Sequence, residues 1–393
     1  MTGETHKEAG PQGLASALVA SGALFSDWLP SFKAVPRELF VPDRIWPGIA
    51  DGTRQTAVVY RSQDPEAWWR AVHADVPLTT QWDDGEHAGD ELGTTPSSSN
   101  SMPTMVFSML QDLDVRPGDK VLEVGTGTGW NAGLLAHRLG GPNVVSVEFD
   151  PDVARGAREN LDRAGLEPTV VEGDGRHGWP DGAPHDRIIA TCSLLEIPPA
   201  WLTQTAPGGI IVAPFGTEYG GEQIVRLTVN DDGTGASGRL TRNSAFMRLR
   251  QQRTDRPPFE DYLRGREWPA DGVRSTTRLA PPETGGWFEQ FVIGAGVPGA
   301  FWRAERYGDG AYTLWLYSRD TLSWASADYE RGCTAYEVYQ SGPRKLWDEV
   351  EATWRWWDGH GRPGFDRFGL TVTPDAHTVW LDSPQKPVPR RRT

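Results

Sequence analysis

Cysteine is scarce in this chain: Cys192 and Cys333 are the only two among 393 residues. They form no Cys-x-x-Cys pair, so neither a disulfide framework nor a structural zinc site is indicated. The histidines, among them His73, His87, His137, His177 and His185, show no metal-ligand spacing, and no bound metal is expected. Long apolar runs are missing as well, and nothing approaches the length that spans a bilayer. The stretch Met1 to Gly13 is polar and lacks a basic segment followed by an apolar one, which argues against a secretory signal. A soluble, cytoplasmic chain without a membrane partner is the expectation. Basic charge is also in deficit, with 39 Lys and Arg against 53 Asp and Glu and a formal net charge of −14. That balance disfavours a nucleic-acid backbone as partner. The short run Arg390-Arg391-Arg392 is the exception and reads as a disordered tail. No internal repeat is present.

What is there suffices for two domains, since 38% of the residues are apolar and 18 are Trp. Residues 1–100 read as a helical leader followed by Gly-, Asp- and Thr-rich irregular chain with loops suited to an acceptor site. From 101 to 251 the texture is regular. A helix near 101–113 precedes Lys120-Val121-Leu122-Glu123-Val124, a short apolar strand. A helix at 130–139, a strand at 144–147 and a helix at 151–164 follow. Further strands are expected at 169–171, 187–190, 209–213 and 223–229. Short apolar strands alternating with amphipathic helices imply an α/β fold, doubly wound and Rossmann-like, with a parallel sheet covered on both faces. Residues 252–286, rich in Pro, Arg, Gly and Asp, read as a linker. Residues 287–393 read as a smaller Trp-rich α+β domain. Its helix presents Leu346, Trp347, Val350, Trp354 and Trp357 on one face, and a hairpin flanks Pro374 to His377.

The sharpest motif is Val121-Leu122-Glu123-Val124-Gly125-Thr126-Gly127-Thr128-Gly129-Trp130. A strand ends in a glycine-rich turn that opens a helix, where a ligand can approach backbone N–H groups. In dinucleotide sites the third glycine position needs a small residue for close helix–strand packing. Here it is Trp130. The acidic Glu123 before the turn suits a cationic ligand, so S-adenosylmethionine, with its amino group and sulfonium, is favoured over NAD. The next strand ends in Glu148, placed to accept from ribose hydroxyls. A third ends in Glu172-Gly173-Asp174-Gly175, where Asp174 could accept from an adenine amino group. Three carboxylates thus converge on the carboxyl edge of the sheet. Cys192, close to the same edge, reads as a packed small residue.

Over roughly residues 14 to 230 the chain resembles the protein-L-isoaspartyl O-methyltransferases. The resemblance rests on Val35-Pro36-Arg37-Glu38-Leu39-Phe40-Val41-Pro42, Asp75-Val76-Pro77-Leu78, the glycine turn, Gly173-Asp174-Gly175-Arg176 and Pro207-Gly208-Gly209. It implies a class I methyltransferase in which Glu123, Gly125, Thr126, Gly127, Gly129, Glu148, Asp174 and Gly175 surround S-adenosylmethionine. The family's Thr-Ile-Ser-Ala-Pro-His type segment is replaced by Ser97-Ser98-Ser99-Asn100-Ser101-Met102-Pro103. Ser99 stands at the serine position and the Pro-His is lost. The Trp-rich C-terminal portion is also absent from the shorter repair enzymes. These departures make the chain similar to a subgroup found with ribosomally made peptides, lanthipeptides or graspetides. That subgroup esterifies an ordinary aspartate, and the ester then closes to an aspartimide.

A carboxylate acceptor agrees with the residues. With a pKa of about 4 it is already ionised at neutral pH, so methyl transfer needs no general base. The enzyme has to orient and desolvate the reacting groups. Ser98 and Ser99, with Thr95 beside them, are the candidate catalytic hydroxyls for holding one carboxylate oxygen. The expected partner is a peptide or protein bearing an aspartyl or isoaspartyl carboxylate, held in part by the C-terminal domain. A repair methyltransferase with an appended domain and a non-catalytic peptide-binding scaffold are the alternatives.

Overall fold

The computed structural model describes residues 10–49 and 55–390. Residues 1–9 of the polar N-terminal stretch, together with Arg391 and Arg392, lie outside the described residues. Arg390 is no loose end, because its guanidinium donates to the carbonyls of Ala295 and His377 at 3.3 and 2.7 Å.

The first hundred residues hold α1 (Pro11–Ala20), α2 (Leu29–Ala34), β1 (Arg44–Pro47), β2 (Val59–Tyr60), α3 (Pro65–Val72), β3 (Leu78–Trp82) and β4 (Pro96–Asn100). The stretch expected to be irregular is a four-stranded sheet in the order β2-β1-β3-β4. Its strands are too short, and the connections between them too rich in Gly and Asp, to show a period of two. The regular portion runs α4 (Pro103–Leu113), β5 (Val121–Val124), α5 (Trp130–Leu139), β6 (Val144–Glu148), α6 (Pro151–Arg163) and β7 (Thr169–Glu172). It continues through β8 (His185–Ala190), α7 (Pro199–Gln204), β9 (Thr205–Gly216), β10 (Glu222–Val229) and β11 (Ala236–Asn243). The remainder comprises α8 (Phe259–Leu263), β12 (Val273–Thr277), α9 (Trp287–Gly296), β13 (Ala300–Arg306), β14 (Tyr312–Ser318) and β15 (Trp324–Tyr329). Last come β16 (Tyr336–Ser341), α10 (Leu346–Gly359), β17 (Phe368–Thr373) and β18 (Ala376–Leu381).

Nine strands form one sheet, ordered β18-β17-β11-β10-β9-β8-β5-β6-β7. The pairs β9/β8, β8/β5, β5/β6 and β6/β7 are parallel. From β10 outward the pairing is antiparallel. The expected all-parallel sheet is therefore mixed. The chain between β9 and β10 is too short to carry a crossover helix, so the strand must fold straight back.

The C-terminal portion also departs from expectation. The hairpin β17–β18 does not join a separate domain, since Ala236 of β11 faces Val372 and extends the main sheet. Nor is 252–286 only a linker: β12 pairs with β16 at the edge of a five-stranded sheet, β12-β16-β15-β14-β13. On α10, Leu346, Trp347, Val350 and Trp357 are buried, as the helical spacing requires. Burial of Phe32, Phe40, Phe107 and Trp130 packs the N-terminal helices onto one side of the main sheet. Among the described residues no helix is long and apolar enough to cross a membrane.

Candidate active site

Strand order reverses about β5, and in open α/β sheets the crevice beyond the carboxyl ends at such a point receives ligands. Here it is lined by the serine strand β4, the turn Gly125 to Thr128, Glu148, Phe149, Gly175, Cys192 and the segment Phe246 to Arg250. The glycine turn is built for close approach. Gly125 and Gly127 have φ of 97° and 55°, and a Cβ on Gly127 would lie 3.1 Å from the Ser99 carbonyl oxygen. A Cβ on Gly175 would overlap the Val124 side chain. Gly129, at φ 90°, faces the Ala157 backbone and seats α5 against α6 rather than lining the crevice.

Glu148 ends β6 and accepts the Gly127 N–H at 2.9 Å and the Asp150 N–H at 3.1 Å. Burial pushes its pKa up, against the effect of those donors. Glu123 is fully buried. It accepts from Asn131 Nδ2 at 2.6 Å and from the Ser146 hydroxyl. Burial prevails over both hydrogen bonds and its pKa is pushed up to about 7. Thr126 meets the Ser146 hydroxyl at 2.6 Å. Glu123 thus faces the crevice while also tying β5 to β6 and α5.

Asp174 differs from expectation, since Gly175 lines the crevice but Asp174 does not. Its carboxylate accepts the Arg176 N–H at 2.9 Å and pairs with Arg176 Nη2 at 2.7 Å. Burial works in the opposite sense, but these contacts hold its pKa below the usual carboxylate range. Its nearest donors are local because the Gly-Asp-Gly-Arg turn brings them there.

Among the hydroxyls, Ser98 and Ser99 reach the crevice, and the buried Ser98 Oγ has no hydrogen-bond partner among the described residues. Thr95 does not reach it: the residue is exposed, with its N–H on Asp83 at 2.6 Å. Two anchors hold β4. Asn100 donates to Thr128 Oγ1 at 2.9 Å and accepts from Arg37 Nε at 2.6 Å. The buried Arg37 fork also reaches the carbonyls of Val72, Ala74, Val76 and Ser101 at 2.9, 3.0, 3.0 and 2.9 Å.

The sequence reading missed the far wall. Phe149 stands 47% exposed at the rim, and the Arg250 guanidinium lies 5.6 Å from its ring. Arg250 pairs with Asp150 at 2.9 Å and Asp84 at 3.1 Å, and Arg253 with Asp84 at 2.7 Å. The segment after β11 is thereby strapped across the crevice. Phe149 had a signal, an aromatic directly after a strand-ending carboxylate. The strap had none, being aperiodic. Burial pushes the Cys192 thiol up to about 12, which suits packing and not nucleophilic chemistry. Among the described residues no group of three or more His, Cys, Asp or Glu is placed to hold a metal ion.

A cradle with no room for side chains at Gly127 and Gly175, a half-buried carboxylate at the end of β6 and an aromatic rim fit a nucleoside carrying a charged tail. Fold and site define a class I S-adenosylmethionine-dependent methyltransferase. The family model described as protein-L-isoaspartate(D-aspartate) O-methyltransferase matches residues 69–253. The protein-L-isoaspartate O-methyltransferase of Pyrococcus horikoshii is 38% identical over 149 residues, 38% of this chain and 67% of that protein. That of Hyperthermus butylicus is 35% identical over 217 residues, 52% of this chain and 75% of its own length. A solved protein-L-isoaspartate O-methyltransferase shares the fold with a TM-score of 0.52 at 21% identity, over 95% of this chain and 100% of that one. The chain belongs to the protein-L-isoaspartate O-methyltransferase family and is an S-adenosylmethionine-dependent carboxyl methyltransferase.

Proposed function

We propose that this enzyme esterifies the free carboxylate of an isoaspartyl residue in a peptide or protein. One observation carries the reading. A second cleft of about 370 Å3, walled by Pro77, Met102, Met105 and Trp287, shares Ser99, Ser101 and Phe246 with the donor crevice. An acceptor chain lying in the apolar cleft would meet the donor at the serines. S-adenosylmethionine, when bound, supplies an electrophilic methyl group on its sulfonium. The protein's own work is to hold one oxygen of an already ionised carboxylate through the hydroxyls of Ser98 and Ser99 and to leave the other free. Glu123 and Glu148 face the donor's cationic and ribose groups. The strap carrying Arg250 limits water.

A finer reading places an ordinary aspartate of a ribosomally made, crosslinked peptide (a lanthipeptide or graspetide) in the same cleft, its methyl ester closing to an aspartimide. Its support is that Trp287, a wall of the acceptor cleft, lies beyond residues 69–253 that the family model matches. Mass spectrometry after incubation with donor and three peptides separates the readings. Methylation of an isoaspartyl hexapeptide, with its aspartyl counterpart untouched, supports repair-type specificity. Conversion of the crosslinked peptide alone supports the finer reading and overturns the first.

A further inference from the structure

The structure holds a second polar recess, of about 240 Å3, that shares Arg248 and Arg253 with the donor crevice. Its walls carry four arginines, Arg248, Arg253, Arg256 and Arg319, against two carboxylates, Glu218 and Asp255. In a chain with a formal net charge of −14, such a local excess of cations runs against the average surface. Two of the four are committed: Arg253 pairs with Asp84 at 2.7 Å and Arg319 with Glu218 at 3.2 Å.

The other two are not. Arg248 Nη1 is buried without a hydrogen-bond partner among the described residues. The nearest acid to act on it, Glu222, already accepts from Ser244 Oγ at 2.8 Å and the Phe246 N–H at 2.9 Å. Arg256 lies over the Phe301 ring at 4.9 Å and forms no ion pair among the described residues; Arg303 adds a like charge, and the one acid acting on it, Glu218, is already paired with Arg319. Buried guanidinium hydrogens without an acceptor are unfavourable, and burial pulls the Arg248 pKa down against the attraction of Glu222 and Glu218. A planar fork of this kind is matched by a carboxylate, which it can hold through two parallel hydrogen bonds.

We infer that this recess binds a second acidic side chain of the substrate, so that the enzyme selects an acceptor residue flanked by Asp or Glu. The inference rests on the proposed carboxyl methylation of a peptide and assigns the neighbouring sequence that the site prefers. Arg248, at the junction of crevice and recess, and the more exposed Arg256, beside Phe301, are the specificity residues. The recess is built jointly by the strap after β11 and by β13 and the β14–β15 connection, since Phe301 and Arg319 complete its wall.

Two isoaspartyl hexapeptides, one flanked by glutamates and one by glutamines, test this with the full chain. Initial rates of methylation should give a KM at least about tenfold lower for the acidic peptide, with the advantage shrinking as salt is raised. In Arg248→Gln and in Arg256→Gln the ratio of kcat/KM between the two peptides should fall toward one. Calorimetry with S-adenosylmethionine accompanies each variant. Equal KM for both peptides in the parent enzyme would overturn the recess assignment while leaving carboxyl methylation in place. Loss of donor affinity in Arg248→Gln matching its loss on the acidic peptide would overturn it too, by giving the arginine to the donor's own carboxylate. Methylation of neither peptide would overturn the functional reading and this inference together.

Discussion

The Glu148 carboxylate accepts the backbone N–H of Gly127 at 2.9 Å, so the acid ending the second strand of the methyl-donor site braces the glycine turn ending the first. Removing it takes away the support of the turn and, on the proposed reading, the acceptor for the donor's ribose hydroxyls. Glu148→Ala should weaken S-adenosylmethionine binding by about 1.5–3 kcal/mol in calorimetry. Unchanged affinity would contradict the assignment.

Arg37 makes the serine strand what it is. A side chain that satisfies the carbonyls of Val72, Val76 and Ser101 cannot be truncated without leaving several acceptors unpaired. Arg37→Met should cost on the order of 3–5 kcal/mol in urea unfolding. Arg37→Lys should recover only part of this, because an ammonium cannot reproduce the fork. A cost below about 1 kcal/mol for Arg37→Met would show that the network is not structural.

Glu123 predicts a pH dependence. Burial lifts its carboxyl from the ordinary 4.5 to about 7. Between those values the folded protein holds the proton that the unfolded chain has released. The associated stability is therefore complete below about pH 4.5 and is lost as pH rises through about 7, to an extent of at most about 3 kcal/mol. Glu123→Gln, which keeps the shape but does not ionise, should flatten the fall of Tm between about pH 5 and 8. Identical slopes in parent and variant would contradict the buried, proton-retaining carboxyl.

Ser99 lines both clefts, whereas Glu123 and Glu148, the proposed partners of the donor, lie on other strands. Ser99→Ala should lower kcat roughly tenfold with little change in donor affinity, as expected when acceptor orientation is lost. Parallel losses in turnover and donor binding would remove it from the acceptor role.

The parallel half of the sheet was legible because β5, β6 and β8 are short apolar runs, each followed by a turn and then a helix. The placement of Glu123 and Glu148 on the crevice was legible for the same reason: strand ends at a switch point converge whatever lies between them. Asp174 lies off the crevice lining because a strand end does not say where a turn residue's side chain goes, and Arg176 two positions on pairs with it. The destination of β17 and β18 was hidden because alternation identifies a hairpin without naming the sheet that it joins. Phe246, Arg248 and Arg250 lie in a segment with no period, and their role comes from tertiary packing across β4 and β6. Arg37 sat in a motif whose specificity was visible, but its six hydrogen bonds were not.

The chemical nature of the product bond tests the account most directly. The enzyme is incubated with S-adenosylmethionine labelled in its methyl group and an isoaspartyl hexapeptide, and the labelled peptide is then exposed to mild base. A carboxyl methyl ester hydrolyses and releases the label as volatile methanol, which is the result expected here. Label that stays on the peptide through base treatment would place the methyl on nitrogen or carbon and contradict the account.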